Sequence, residues 1–197
     1  MFSVHRRPPR SRRAGARLSA AGAAVLAAAT AAGCGTLSSG NEVELSDEIN
    51  VSSTMMQSGE PIPELYTCEG EGVSPTLQWS GLPDDGATES LALVVDAPEE
   101  ARVFWVLYGL DPQTAELRQN TVPHPGEQGR NSEGDTAYDP PCYSQDGADE
   151  IRFTLYALES EVELSDDVSL EETLGAIADR AIARGSLTVT NGPRNQT

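Results

Sequence analysis

Residues 90–98 read SLALVVDAP, and residues 103–110 follow as VFWVLYGL. The run 91–95 is continuously apolar, which is typical of a β-strand covered on both faces. Residues 151–158 (IRFTLYAL) alternate instead, so one face of that strand is expected to be partly exposed. Short β-rich runs between turn-forming residues predict a mainly β fold. The candidate strands are residues 49–54, 76–79, 90–95, 103–110, 151–158 and 186–190.

One helix is predicted near the C-terminus. Residues 169–172 (SLEE) are predicted to form a capping box. In this motif the Ser169 side chain accepts a hydrogen bond from the Glu172 backbone N–H, and the Glu172 carboxylate accepts one from the Ser169 backbone N–H. Arg180 and Arg184 suit the negative C-terminal end, and Gly185 is the expected left-handed stop. An apolar stripe at helical spacing predicts packing on a sheet, and it consists of Leu170, Leu174, Ile177 and Ala181.

The charge of the chain restricts its partners. Its 197 residues include 31 acidic and 13 basic residues, for a formal net charge of −18. Six arginines lie within the first 17 positions, lysine is absent, and every acidic residue follows Asn41. Because nucleic acid attracts basic surfaces, the acidic body excludes nucleic acid as a partner. The length suits one domain with a single core.

The first 33 residues predict an export signal. A basic segment precedes an alanine-rich run, residues 18–32, which is too short and too weakly apolar for a permanent membrane span. Residues 31–34 (AAGC) resemble the lipobox of bacterial lipoproteins, which implies diacylglycerol on the Cys34 sulfur and cleavage before it. We therefore divide the chain into a lipoprotein signal peptide (1–33), a lipidated N-terminus with an acidic tether (34–50) and a folded domain (51–197). The alternative is a soluble secreted protein in which Cys34 is incidental.

The sequence carries little support for an enzyme. His124 is the only histidine after the leader and lies between two prolines, so a Ser-His-Asp or Cys-His arrangement would depend on a turn residue. Residues 72–75 (GVSP) lack the second glycine of a G-x-S-x-G elbow, and no Walker loop occurs. Zinc ligands are limited to His124, Cys68 and Cys142. We expect no catalysis, no metal site and no cofactor.

Cys68 and Cys142 remain once Cys34 is lipidated. In an oxidising compartment an even pair is most simply a disulfide. The alternative is two unpaired thiols.

Four segments occur in an order and spacing that carry a resemblance. Residues 66–79 (YTCEGEGVSPTLQW) are similar to the motif Y-T-C-x-G-x-x-x-S-P-x-L-x-W. Residues 90–98 are similar to a segment containing V-D-D-P-D-A-P, and residues 104–108 (FWVLY) are similar to H-W-V-x-Y. Residues 129–131 (GRN) and 138–142 (YDPPC) are similar to G-x-N and Y-x-G-P-C, and residues 152–158 follow the place of an H-x-Y motif. Together they resemble the phosphatidylethanolamine-binding protein family, in its bacterial Raf-kinase-inhibitor-like branch.

The resemblance implies an antiparallel β-sandwich with a few peripheral helices and a disulfide between Cys68 and Cys142. Family members are mostly binding and regulatory proteins, which hold a small anionic group in a shallow pocket at one edge of the large sheet. The ligand-pocket positions carried over to this chain are Ala97, Phe104, Tyr138, Pro141, Asp149 and Ile151.

Four of these positions depart from the family. Ala97 lies at the position of a family aspartate, and Asp96 lies one residue before that position. Phe104 and Asp149 lie where the family has histidines, and Ile151 lies where it has a tyrosine. Imidazoles donate hydrogen bonds and can carry positive charge, whereas an ionised carboxylate only accepts hydrogen bonds. The carried-over residues therefore do not favour phosphate.

We interpret the chain as a binding or regulatory lipoprotein, exported and anchored to the outer face of the cell membrane through Cys34. Its altered anion pocket is expected to favour a small neutral or cationic ligand. The alternative is a protein-interaction module or inhibitor that contacts an envelope protein and binds no small molecule. The polar segment 111–145 is too long for a simple connection and is expected to contribute to any site.

Overall fold

The computed structural model describes residue 45 and residues 49–83, 86–143, 149–165 and 167–192. The predicted signal peptide and the lipidation site at Cys34 lie outside the described residues. Within those ranges no helix combines the length and the apolarity needed to cross a bilayer.

Within the described ranges, eight strands form two antiparallel sheets. The smaller sheet has the order β1-β2-β5 and the larger sheet the order β6-β4-β3-β7-β8. The prediction of a mainly β antiparallel fold is therefore confirmed. The strands are β1 (Asn50–Ser52), β2 (Leu77–Ser80), β3 (Ser90–Ala97), β4 (Arg102–Leu110), β5 (Glu116–Leu117), β6 (Glu127–Gln128), β7 (Glu150–Leu158) and β8 (Ala181–Thr190).

Strand β3 lies at the centre of the larger sheet and serves two apolar layers. Leu91, Leu93 and Val95 belong to the main core, which also contains residues of the smaller sheet such as Leu77 and Trp79. Residues 92 and 94 pack instead with helix α1 (Leu170–Ala178) on the other side of the sheet, which we call the outer face. The run 91–95 is buried on both faces, as its composition predicts.

Helix α1 begins as predicted but ends earlier. The Glu172 N–H donates to Ser169 Oγ at 3.2 Å, and the Ser169 N–H donates to the Glu172 carboxylate at 3.0 Å. The prediction that the helix runs to Gly185 is wrong, because the helix ends at Ala178 and the following residues form β8. Strand β8 pairs along its length with β7, where Gly185 lies opposite Leu155. Hydrogen bonding to a neighbouring strand thus overrides the helical spacing of the apolar residues.

The segment 111–145 is not entirely irregular. It contains β5, which pairs with β2, and β6, which pairs with β4. Each of these strands has two residues, so no alternation of side chains can mark it in the sequence.

Candidate functional site

The sheet positions of the pocket meet at one end of the larger sheet. Ala97 is the last residue of β3, Phe104 lies near the start of β4, and Ile151 lies near the start of β7. These strands are antiparallel neighbours, so the three termini lie side by side. The segment 138–142 crosses this end of the sheet, because the Asp139 N–H donates to the Phe104 carbonyl at 2.9 Å.

Three of these side chains are apolar and almost completely buried. Ala97 is 2% exposed, Phe104 3% and Ile151 0%, and all three belong to the main core. The register of β3 and β4 shifts between Val95 and Asp96, which leaves Phe104 as an extra residue in a bulge of β4. Bulges redirect side chains beside binding sites. None of the three buried side chains offers a hydrogen-bond donor to an anion.

Asp96 cannot replace the family aspartate, because it lies on the outer face. Its two carboxylate oxygens accept from Nε and Nη2 of Arg152 at 3.2 and 2.8 Å. Successive side chains of a strand point to opposite faces of the sheet. Ala97 belongs to the main core, and Asp96 lines a cavity together with residues of α1.

Arg102 lies at the rim of this site, and sequence reasoning missed it. It pairs with Ala97 across β3 and β4, and its guanidinium carbon lies 5.3 Å from the centre of the Phe104 ring. Its Nη2 lies 2.8 Å from Asp139 Oδ2 and 3.1 Å from Glu133 Oε1. The hydrogen bond to Asp139 raises the pKa of Arg102. Positions 102 and 104 share a face by strand alternation, which is the signal that could have identified Arg102.

Asn131 organises the loop that carries one of these carboxylates. Its side chain is buried, Oδ1 accepts from the N–H groups of Glu133 and Asp135, both at 3.0 Å, and Nδ2 donates to the Ala137 carbonyl at 3.1 Å. A single buried amide therefore satisfies three backbone groups of the loop. This arrangement fixes the position of Glu133 beside Arg102.

Tyr138 joins the loop to a short 3-10 helix, Glu64–Tyr66. Its hydroxyl donates to the Tyr66 carbonyl at 2.8 Å, and its ring packs edge-on against Trp105 with the ring centres 5.5 Å apart. Burial, and secondarily the charge of Asp139, raises the pKa of Tyr138 well above its ordinary range. Tyr138 is therefore a neutral hydrogen-bond donor in the wall of the site.

The expected disulfide between Cys68 and Cys142 is present, with the two Cα atoms 5.0 Å apart. The Cys68 N–H donates to the Pro141 carbonyl at 3.1 Å, so the bond reinforces a backbone contact. Cys68, Glu69 and Cys142 form a cluster of metal-ligand type with their ligand atoms within 4.8 Å. Zinc needs thiolates, whereas these sulfurs are bonded to each other.

Asp149 lies immediately before β7 and is partly exposed. The Asn191 N–H donates to the Asp149 carbonyl at 2.6 Å, and Asn191 Nδ2 donates to the Cys142 carbonyl at 3.1 Å. Asn191 therefore holds the start of β7 next to the segment that carries Tyr138 and Pro141. Asp149 is the one acidic group among the six pocket positions.

Several cavities lie away from the six pocket positions. Four of them, with volumes of about 830, 350, 240 and 150 Å³, are lined by residues other than the six pocket positions. The largest lies over the smaller sheet, beside Trp79 and Arg118. The apolar side chains at positions 97, 104 and 151 are almost completely buried and form the closed floor of the site.

These features define a two-sheet antiparallel protein with a loop tied by a disulfide across one end of its larger sheet. The model of the family described as phosphatidylethanolamine-binding protein matches residues 52–192. The chain belongs to the phosphatidylethanolamine-binding protein family.

Relatives in archaea and bacteria agree with this assignment. A UPF0098 protein of Methanothermobacter thermautotrophicus is 34% identical over 134 residues, which are 64% of this chain and 87% of the relative. A Mycobacterium tuberculosis protein described as a candidate lipoprotein, LppC, is 33% identical over 148 residues, 73% of this chain and 72% of the relative. The chain spans 57% of a UPF0098 protein of Mycobacterium bovis that is 39% identical to it.

A solved structure supports the fold. The crystal structure of a phosphatidylethanolamine-binding protein homologue from Chlamydia trachomatis matches with a TM-score of 0.65 and 30% identity. The match covers 75% of this chain and 99% of the homologue.

Proposed function

We propose that this protein is a binding or regulatory lipoprotein outside the cytoplasm, anchored to the membrane through Cys34 and without catalytic activity. The export pattern of residues 1–34 supports the anchor, as does the description of the mycobacterial relative as a candidate lipoprotein. Two acyl chains on one cysteine would hold the domain stably at a membrane.

One observation carries the proposal of an altered anion pocket. Ala97, Phe104 and Ile151 are 2%, 3% and 0% exposed in the main core, so they form an apolar floor without donors. The cation at the rim, Arg102, already contacts two carboxylates. Among the residues that the structure describes, a phosphate at this end would therefore meet Arg102, whose charge these two carboxylates already offset.

The site instead suits a small neutral or cationic ligand. The Arg102 guanidinium carbon lies 5.3 Å from the centre of the buried Phe104 ring, so a ligand cation would take the place of that guanidinium over the ring. Asp139 in the loop and Asp149, the residue before β7, add acidic residues at this end of the sheet. Choline, a cation without a phosphate, is a suitable probe.

The residues near the site support the proposal that the protein has no catalytic activity. His124 is exposed in a turn before β6 and the described contacts give it no side-chain partner. The six pocket positions include no serine, cysteine or lysine nucleophile and no histidine that could act as its base.

An NMR titration of the purified protein with choline and with phosphoethanolamine tests the pocket. We expect choline to shift the amide signals of Phe104 and Tyr138 saturably, and phosphoethanolamine to leave them unchanged. Replacing Asp149 with Ala should weaken choline binding about tenfold, which corresponds to 1.4 kcal/mol. The matched control is Glu163→Ala, since Glu163 is exposed beside the outer-face layer.

Three results decide between the candidates. Saturable shifts at Phe104 with phosphoethanolamine would refute the altered pocket, and unchanged choline binding by Asp149→Ala would refute the role of Asp149. No response to either ligand would favour the alternative, an interaction protein of the cell envelope.

Mass spectrometry of the mature N-terminal peptide tests the proposed anchor. We expect the peptide to begin at a diacylated Cys34, and any other N-terminus would contradict the anchor.

A further inference from the structure

A polar cavity lies on the outer face of the larger sheet. It is separate from the site formed by the six pocket positions, which we call the family pocket. It has a volume of about 350 Å³ and lies over β7 and β8. Its polar lining residues are Arg152, Thr154, Tyr156, Arg184 and Ser186.

The strand register explains why these side chains converge. Residues 152, 154 and 156 alternate with the core residues Phe153 and Leu155, so they point to the outer face. On the neighbouring strand, Ser186 lies opposite Thr154, and Arg184 lies opposite Tyr156. Two strands thus place five polar side chains on one patch of sheet.

The patch concentrates positive charge in a strongly acidic protein. Only seven arginines follow the leader in a chain of net charge −18, and two of them line this cavity. Burial raises the pKa of Tyr156; the charge of Asp96 also raises it, and the charges of Arg152 and Arg184 act in the opposite direction.

Asp96 offsets the charge of Arg152 but does not occupy all of its N–H donors. The carboxylate accepts from Nε and Nη2 of Arg152. A guanidinium has five N–H donors, so donors remain for a ligand on the cavity side. The carboxylate also fixes the orientation of the guanidinium, which reduces the entropy lost when a ligand binds.

Thr154 supplies an independent sign of a ligand. It is 4% exposed, and its hydroxyl has no hydrogen-bond partner among the residues that the structure describes. A buried hydroxyl without a partner costs free energy, and most such groups in folded proteins are satisfied. An oxygen of a bound ligand would satisfy it.

We propose that the cavity beside Arg152, Thr154 and Arg184 binds a small phosphate-type oxyanion. Guanidinium groups bind tetrahedral oxyanions through charge-assisted hydrogen bonds, and the hydroxyls of Thr154, Tyr156 and Ser186 add donors around them. The phosphate group could belong to a soluble phosphate ester or to a lipid headgroup. Ile49 also lines the cavity, and the tether predicted to lead from Cys34 joins the fold at this residue. If Cys34 carries the proposed lipid anchor, a lipid headgroup is within reach of the cavity.

Calorimetric titration of the purified protein with inorganic phosphate at low salt tests this site. We expect saturable binding that Arg184→Gln and Thr154→Val each weaken about tenfold. The matched control, Arg118→Gln, removes an arginine on the smaller sheet whose side chain is 80% exposed, and it should bind phosphate as the unchanged protein does.

Thr154→Val separates a ligand role from a structural role. Valine has nearly the same shape and removes an unpaired buried hydroxyl, so the melting temperature should stay unchanged or rise while phosphate affinity falls. Phosphate affinity equal to that of the unchanged protein in this variant would overturn the proposal, as would the absence of saturable heat.

Two further probes identify the source of the phosphate. Tighter binding of short-chain phosphatidic acid than of inorganic phosphate supports a lipid headgroup, and equal binding supports a soluble phosphate ester. NMR shifts at Thr154 and Ser186 report on this cavity, whereas shifts at Phe104 and Tyr138 report on the family pocket. Failure of one proposal is therefore distinguishable from failure of the other.

Discussion

Gly185 allows the chain before β1 to pass directly against β8, and adding one methyl group there tests the packing of the two sheets. A Cβ at position 185 would lie 1.7 Å from the carbonyl oxygen of Ile49 and 2.5 Å from its carbonyl carbon. Favourable contacts between nonbonded heavy atoms occur at about 3.5–4.0 Å. The backbone at Ile49 must therefore move by about 2 Å in Gly185→Ala.

The cost of this movement follows from the contacts that it breaks. The Ile49 N–H donates to the Arg184 carbonyl at 3.3 Å, and such a hydrogen bond contributes about 1 kcal/mol. Ile49 is 4% exposed in the main core, and losing its burial would cost about 1.5–3 kcal/mol. We expect the free energy of unfolding to fall by about 2–4 kcal/mol.

Urea unfolding followed by circular dichroism measures this change, and Gly175→Ala is the matched control. Gly175 lies in the exposed interior of α1, where an added Cβ meets nothing within 4 Å. Replacing a glycine in a helix with alanine stabilises by about 0.5–1 kcal/mol. The same substitution should thus have opposite signs at the two positions. A Gly185→Ala protein within 0.5 kcal/mol of the unchanged protein would refute the close approach.

Three other changes test the loop across the family pocket. Replacing Cys68 and Cys142 with serine should lower the unfolding free energy by about 4 kcal/mol, since the crosslink spans 74 residues; a loss below about 1 kcal/mol in urea would contradict this. Asn131→Leu should cost about 2–4 kcal/mol in the same assay, because three backbone groups lose their partner, and an unchanged midpoint would argue against it. The folded state raises the pKa of Tyr138, so its contribution to stability is present below about pH 10 and is lost as the pH rises. Thermal unfolding of Tyr138→Phe should therefore show a shallower loss above pH 10, and an identical slope would exclude this cause.

Local patterns predicted the parts of the fold that depend on neighbouring residues. The apolar run 91–95 identified a strand buried on both faces, and residues 169–172 marked the helix start. The helix end could not be predicted in this way. Residues 181–185 (AIARG) continue the helical spacing of the apolar residues, yet they pair with β7, which lies more than 20 residues earlier in the chain. Pairing of that kind depends on the whole sheet and leaves no local signal.

The candidate site, like the fold, could be predicted from the sequence only in part. The resemblance located Asn131 and Tyr138, but only the structure shows that one satisfies loop backbone and the other joins the loop to Tyr66. Arg102 carries a partial signal, because alternation places it on the face of Phe104. Its two carboxylate partners come from the loop, which no periodic pattern describes.

Strand alternation links the two proposed sites through one pair of residues. Ala97 faces the main core and Asp96 the outer face, so the carboxylate is withdrawn from the family pocket and orients Arg152 beside the second cavity. Replacing Asp96 with Asn would separate the two consequences. The variant should bind phosphate more tightly, because Arg152 loses its offsetting charge while the amide oxygen of asparagine can still accept one of its hydrogen bonds and orient it. Choline binding at the family pocket should stay the same. A change at both sites together would mean that the two faces of the sheet do not act independently.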